Sequence, residues 1–477
     1  MTRHGFVFSV LSIGSTFVAP VAFAQEVVPT ATTAPLLSGG EAAVRTMSLV
    51  DALAYARAHQ PAIRDALARV DAEHAQANVP RGQWLPTIGV TAQIFGATEN
   101  NTTASYVSPS FMDIPRIGSS RSRDAASASF APYASTIAGV GITQEVFDFG
   151  RIAAHSAAAD AVVDVRKNDA LVVRLDTDFG VEEAYFAERA AKAVLVASQD
   201  AYDRSRVHRD LAQAGVASGL RSPIELTRAE ADLQRFDIGR IRAQGGVEIA
   251  ESVLAAAIGA PALRVDASAD TPLPQDLPSV SDALQRATAH DPHLLALVAR
   301  LKAQELTTRA VRSELRPNIL LTGTLSTRAG GADPTSGDSA DYSGLLPTVP
   351  NWDAGLVLSW PIFDGITDAR VAAARAQEGV AREDIGVAKA TLTAQVEQAY
   401  VSVDIARRAL PGLQRAVAAA IANYAQADAR FKAGLGTSVE LADAEALRTD
   451  AEIQLAMGIF ELARTRSAFG RAIAEGI

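Results

Sequence analysis

The residues whose types and spacing could do chemistry are carboxylates at two helical turns. Glu440 and Asp443 lie three apart, which on a helix puts both on one face, and Glu225 opens the matching stretch in the first half of the chain. Arg228 stands where the second stretch has Asp443. Acids so placed can attract cations. Glu225 and Glu440 also end the stretches Ser222-Pro223-Ile224-Glu225 and Thr437-Ser438-Val439-Glu440, which have the pattern of a capping box, so helix capping competes as their explanation. Asp443 needs no cap and is the stronger candidate.

Patterns of catalysis are missing. The seven histidines form no HExxH or HxH cluster, no phosphate-binding glycine loop occurs, and no GxSxG follows a strand. His59 and His290 recur with an internal repeat, each ahead of a helix start, and read as structural. Acidic pairs such as Glu182-Glu183 fall within long helical runs and read as solvated faces. With no cysteine there are no disulfides, thiolate metal sites, cysteine nucleophile or lipidated N-terminal cysteine. The net charge of -10 opposes binding to nucleic acid. No enzyme activity, bound metal or cofactor is expected.

The elements that must position those acids begin after a leader. Arg3 and His4 precede an apolar run from Phe6 to Val18, and Ala22-Phe23-Ala24 offers a small-x-small cleavage site between Ala24 and Gln25. Residues 1–24 therefore read as a signal peptide, since the run is shorter than the roughly 20 residues of a spanning helix. No later apolar stretch reaches that length. A mature chain that crosses a membrane must then do so as a closed barrel of strands.

An internal repeat organises the rest. SLVDALAYARAHQP (Ser48 to Pro61) recurs as SVSDALQRATAHDP (Ser279 to Pro292), Arg81 and Pro86 recur as Arg312 and Pro317, and Phe147-Asp148 as Phe363-Asp364. Ala229-Glu230 matches Ala444-Glu445. The unit is too long for a solenoid and reads as one large duplication. The expected organisation is a segment 25–46, a first repeat 47–259, a Pro-rich linker 260–278 and a second repeat 279–475.

Within each repeat the hydrophobic period changes in order. A short helix and a longer one, opened by Pro61 or Pro292, end at Trp84-Leu85-Pro86 and Leu315-Arg316-Pro317. The period then falls to two, predicting strands at about 86–96, 134–147, 317–327 and 351–361. Trp352, Ala354, Leu356, Leu358 and Trp360 share one face, and eight steps of about 3.3 Å put the tryptophans roughly 26 Å apart, near the apolar band of about 25 Å on an outer-membrane barrel. Four strands cannot close a channel, so several protomers must share one barrel. Segments 96–133 and 328–350, rich in Ser, Gly, Asp, Thr and Pro, read as exposed loops, with linkers between soluble domains as the competing account.

Long helices follow, in hairpins over about 150–258 and 365–474. Val396, Val403, Leu410, Val417, Tyr424 and Phe431 recur every seventh residue, interleaved with Leu392, Ala399, Ala406, Leu413, Ala420 and Ala427, a heptad seam. About 67 residues at 1.5 Å each run roughly 100 Å. Pro411-Gly412 predicts a kink or two helices end to end. The turns read Ala214-Gly215-Val216-Ala217-Ser218-Gly219-Leu220-Arg221 and Ala433-Gly434-Leu435-Gly436, the first with about four extra residues.

This order of elements, with FDFGR and PIFDG where strands enter long helices and AGLGTSVELADAE at a tip, resembles the TolC family of outer-membrane efflux proteins over about residues 45–475. The resemblance implies a mainly α protein with a small transmembrane β part: duplicated helical hairpins forming a tunnel across the periplasm, and four strands per protomer in a shared trimeric barrel in the outer membrane. It implies a homotrimer in contact with outer-membrane lipid, with Trp352 and Trp360 at the membrane interface. It also implies a periplasmic adaptor (membrane fusion protein) docking at the tips, around Gly215, Val216 and Ala217 and around Gly434, Leu435, Gly436 and Thr437, and an inner-membrane transporter of RND or ABC type. Finally it implies a periplasmic gate, for which the matching positions are Glu225, Arg228, Phe431, Glu440 and Asp443; three copies of Glu440 and Asp443 would make a cation-attracting throat.

Two departures from the family pattern bear on the gate. Arg228 replaces an acid and is expected to pair with an acid of an adjacent hairpin, and Gly436 stands where some members carry a basic constriction residue. The expected function is an exit duct for small toxic molecules, drugs or metals. Polypeptide export is the alternative within the family, and a secreted coiled-coil scaffold or adaptor without a pore is the alternative of another class.

Overall fold

A computed structural model describes residues 44–98, 132–268, 277–329 and 349–475. The leader with its Ala24/Gln25 junction, and most of the two long loops, lie outside the described residues. In order the elements are β1 (Val44–Met47), α1 (Leu49–His59), α2 (Pro61–Gln76), α3 (Val79–Gly82), β2 (Thr87–Thr98), β3 (Pro132–Phe147), α4 (Arg151–Ala217), α5 (Pro223–Ala257), β4 (Arg264–Ala267), α6 (Val280–His290), α7 (Pro292–Ser313), β5 (Asn318–Ala329), β6 (Val349–Ser359), α8 (Gly365–Lys432) and α9 (Ser438–Ala472). The duplication is visible in local chemistry. Ser48 and Ser279 cap α1 and α6 by accepting from the N–H of Asp51 and Asp282, and prolines open α2 and α7. Pro80, which has no N–H, falls in the first turn of α3, so the first-half helix is interrupted after Gln76 while α7 runs unbroken.

The strands form one antiparallel sheet in the order β2-β3-β5-β6, with β3–β5 joining the two repeats. Its faces invert the usual soluble pattern. Ile88 opposes Ile142, Val90 opposes Val140, and Leu325 opposes Trp352, all on one face and all exposed, Trp352 at 79 %. On the other face Thr91, Thr324 and Ser326 are buried. Apolar outside and polar inside is the alternation of a barrel in lipid. Among the described residues the outer edges of β2 and β6 have no partner strand.

Each sheet-to-helix junction is held by an aspartate. Asp148 accepts from the N–H of Gly150 at 2.9 Å and from that of Ile152, fixing Phe149 in the left-handed region at φ 52, a costly conformation for a bulky residue. Asp364 accepts from the N–H of Ile366 at 3.0 Å and from the Thr367 hydroxyl at 2.6 Å.

Helices α4 and α8 have 67 and 68 residues. On α8, Leu392, Val396, Val403, Ala420 and Phe431 of the heptad seam are buried, and the rest of the seam is half-buried. The helix continues through Pro411, which corrects the expectation of two helices end to end: Pro411 is exposed, off the packed seam, and Gly458 of α9 gives Leu413 room for close approach. Lateral packing follows the order α2/α5, α4, α7/α9, α8.

One element escaped the sequence. Val44–Met47 pairs in parallel with Arg264–Ala267, although both fall in segments that read as connectors. Met47, Val265, Leu254 and Ile258 bury around Tyr185, whose hydroxyl donates to the Ser268 carbonyl at 2.9 Å. Four-residue strands carry too little periodicity to be seen.

Candidate functional site at the hairpin tips

Both hairpins reverse through the same hydrogen-bonded turn. In the first, the N–H groups of Leu220 and Arg221 donate to the Gly215 carbonyl at 2.9 and 3.1 Å; in the second, those of Leu435 and Gly436 donate to the Arg430 carbonyl at 2.9 and 3.0 Å. Gly219 (φ 72) and Gly434 (φ 74) hold the left-handed position that ends each helix. Gly219 is therefore the counterpart of Gly434, Arg221 of Gly436, Glu225 of Glu440 and Arg228 of Asp443. The four extra residues expected in the first turn do not exist. Helix α4 runs on to Ala217, so Gly215, Val216 and Ala217 lie in its last turn, and the first tip is Ser218 to Ser222. Gly434, Leu435 and Gly436 do form the second turn, with Leu435 exposed and Thr437 capping α9.

The capping explanation of the two glutamates also needs correction. Ser222 makes no side-chain cap, and the Glu225 carboxylate pairs with Arg221 at 2.7 Å. Thr437 does accept from the Glu440 N–H at 3.2 Å, but the Glu440 carboxylate turns to Arg430 at 3.8 Å. Side-chain salt bridges compete with the return bond of a capping box, and an arginine stands within reach in both tips.

Arg221 joins the hairpins. Besides Glu225 it donates to the Phe431 carbonyl at 2.7 Å, and its guanidinium carbon sits 3.7 Å above the Phe431 ring, a cation–π contact across elements. Phe431 is 1 % exposed. The side chain of Arg221 lies across Gly215, where a Cβ would come 2.7 Å from Arg221 Cδ.

A second crossing lies deeper. Arg204 of α4 grips Glu445 of α9 with both ends of its fork at 2.8–3.0 Å. Burial works against the charge on Arg204, but the hydrogen bonds and charge of Glu445 more than offset it and hold the guanidinium above its usual pKa. Tyr424 lies between Arg204 and Arg448, with guanidinium carbons 5.7 and 5.3 Å from its ring, and burial followed by the charges of Glu445 and Asp428 pushes its phenol up to about 12. His208 completes the packing, its ring 4.7 Å from that of Phe431, and burial lowers its pKa.

Of the residues singled out from sequence, the structure gathers Glu225 and Phe431 around Arg221 and leaves Asp443 and Arg228 exposed on α9 and α5. Among the described residues neither Asp443 nor Arg228 has an ion-pair partner within the protomer. Trp360 lies one residue past β6 and is exposed, like Trp352. Sequence reasoning missed Arg204, Arg221, Tyr424, His208 and Glu445. Arg221 carried a signal, a lone cation among the small residues of a turn, and Glu445 recurred with the repeat; Arg204, Tyr424 and His208 are unremarkable points on long helices.

Paired long hairpins beneath a sheet that is apolar outside and polar within define an outer-membrane tunnel channel. The chain belongs to the outer membrane efflux protein family, whose model matches residues 52–260 and 283–468. Protein CyaE of Bordetella pertussis is 25 % identical over 405 residues, 84 % of this chain and 78 % of that one. Fusaric acid resistance protein FusA of Burkholderia cepacia is 28 % identical over 223 residues, 44 % of this chain and 37 % of that one. Among solved structures, the Campylobacter jejuni CmeC outer membrane channel superposes with a TM-score of 0.69 at 16 % identity, covering 90 % of this chain and 86 % of that one. The open-state Neisseria gonorrhoeae MtrE outer membrane channel does so at 0.65 and 20 %, covering 90 % and 89 %. These likenesses establish the fold. The family consists of channels rather than enzymes, sited in the outer membrane and extending into the periplasm.

Proposed function

We propose that three copies of this chain form the exit duct of a tripartite efflux pump, passing small toxic molecules, drugs or metals, from periplasm or cytoplasm to the exterior. The observation that carries this reading is the sheet: inverted in polarity, four strands wide and open at both edges, it completes a barrel only with other copies. Strand number favours such sharing, because an even count per protomer keeps neighbours antiparallel across every seam. The printed name of FusA, a resistance protein, supports a small toxic cargo. An adaptor docks on the exposed tips and an inner-membrane transporter of RND or ABC type loads the duct.

The gate is at the tips. Asp443 carries the throat's charge, being exposed and unpaired in the protomer, and Glu440 adds to it only partly because Arg430 stands 3.8 Å away. Arg228, exposed and likewise without an ion-pair partner among the described residues, pairs in this reading with an acid of an adjacent hairpin. Phe431 and Glu225 hold the two hairpins of one protomer together through Arg221. Single-channel recording of the purified trimer in a planar bilayer tests this: small cation-selective currents are expected, and Glu440→Ala/Asp443→Ala should abolish the selectivity. Currents indifferent to the double substitution would move the gate elsewhere, and no current from intact trimers would remove the pore.

A further inference from the structure

His208 is a buried titratable group at the place where the two hairpins meet. Its ring stands edge-on to Phe431 of the other hairpin, at 78°. Its Nε2 reaches neither solvent nor a hydrogen-bond partner, and the same holds for the Ser205 hydroxyl one turn earlier. Both residues line a narrow, partly open space of about 10 Å³ whose other walls include Asp232, Phe236, Tyr424 and Leu441. Such a space holds one water at most.

Charged and titratable groups face this ring from every element around it: Arg204 on α4, Arg221 from the first tip, Glu225 and Asp232 on α5, Tyr424 and Asp428 on α8, and Glu445 on α9. Every acid among them already holds a cation. Glu225 holds Arg221 at 2.7 Å, Asp232 holds Arg235 at 3.3 Å, Asp428 holds Lys432 at 2.7 Å, and Glu445 holds Arg204 at 2.8 Å. An imidazolium formed here would be drawn by the charges of Asp232, Glu225 and Asp428 and repelled by Arg221, but each of those acids is already shared with another cation and burial outweighs their pull. Neutral imidazole instead serves as one wall of the Phe431 pocket, with Arg221 as another.

We infer that His208 is a positioning residue for Phe431 and makes the tip acid-sensitive: neutral, it wedges Phe431 beneath Arg221; protonated, it moves toward water, frees Phe431 and loosens one hairpin from the other. The inference rests on the reading of the tips as the gate. Its sign follows from linkage. Burial, the largest influence, lowers the pKa of His208 in the packed tip, whereas a solvated histidine titrates near about 6.5. The packed tip therefore binds fewer protons than the loosened one. Acid shifts the balance toward loosening, with no effect above about pH 6.5 and a gain below it of up to about tenfold per pH unit for each protomer, until the lowered pKa is reached.

The test is open probability of full-length trimers in planar bilayers at about pH 7.5 and about pH 5.5, for the wild type, His208→Gln, His208→Phe and Arg221→Ala. The wild type should open at least about threefold more often in acid. His208→Gln, which fills the site without titrating, should be flat across the two pH values, and His208→Phe gives the same reading should the glutamine variant not assemble. Arg221→Ala should open more at both. A wild type with no acid response, or a response that survives in the histidine variants while Arg221→Ala still opens the channel, overturns the role of His208 and leaves the gate standing. Should Arg221→Ala leave opening unchanged as well, the gate itself is misplaced and the inference falls with it.

Discussion

The two hairpin tips share a backbone, and among their differences one exchange sets what each tip's arginine does. The first has Gly215 opposite Arg221, the second Arg430 opposite Gly436, and in each the glycine clears space for what crosses it: a Cβ on Gly436 would come 3.1 Å from that of Arg430. One arginine fits per tip, but its side of the turn decides what it does. From the far side Arg221 reaches over Gly215 to the other hairpin and is half-buried there; from the near side Arg430 stays on its own hairpin, bonds the Leu435 carbonyl at 3.3 Å and remains exposed. The duplicated turn thus yields one arginine that ties hairpins together and one that only closes its own loop. The same asymmetry recurs deeper, where Glu445 is gripped by Arg204 while its repeat counterpart Glu230 is exposed.

Breaking that asymmetry should have graded effects. Glu445→Ala leaves the half-buried Arg204 with only the longer Glu452 contact at 3.8 Å and should cost about 1.5–3 kcal/mol of protomer stability, read as a lowered denaturation midpoint, whereas Glu230→Ala at the matching place should leave the midpoint in position. Arg221→Ala removes a half-buried ion pair, a carbonyl bond and the cation–π contact, and should cost about 1–3 kcal/mol of tip packing, seen as faster proteolytic cleavage near Phe431. Arg430→Ala should change stability by less than about 0.5 kcal/mol. Asp443→Asn should leave the denaturation curve unmoved and lower only the cation selectivity. An Arg430→Ala variant as damaged as Arg221→Ala would erase the distinction between the tips.

How far the sequence could be read varied with length scale. The heptad seam made α8 legible because twelve positions repeat one pattern, and the alternation around Trp352 made the sheet legible for the same reason. The tips were misaligned because Gly215 resembles a turn glycine, and only the hydrogen bonds to the Gly215 and Arg430 carbonyls show that Gly219 has that role. Arg204 and Glu445 are 241 residues apart, a separation over which no local pattern informs. Pro411 misled in another way: a proline on the exposed side of a long packed helix is carried by the seam on either side of it.

The open edges of β2 and β6 have a consequence for biogenesis. Each released protomer presents two rows of unpaired amide and carbonyl groups beside an oily outer surface, a template for any passing strand. In the shared barrel proposed above, the sheet therefore completes its hydrogen bonding only on association. Until then each protomer carries two edges open to wrong pairing.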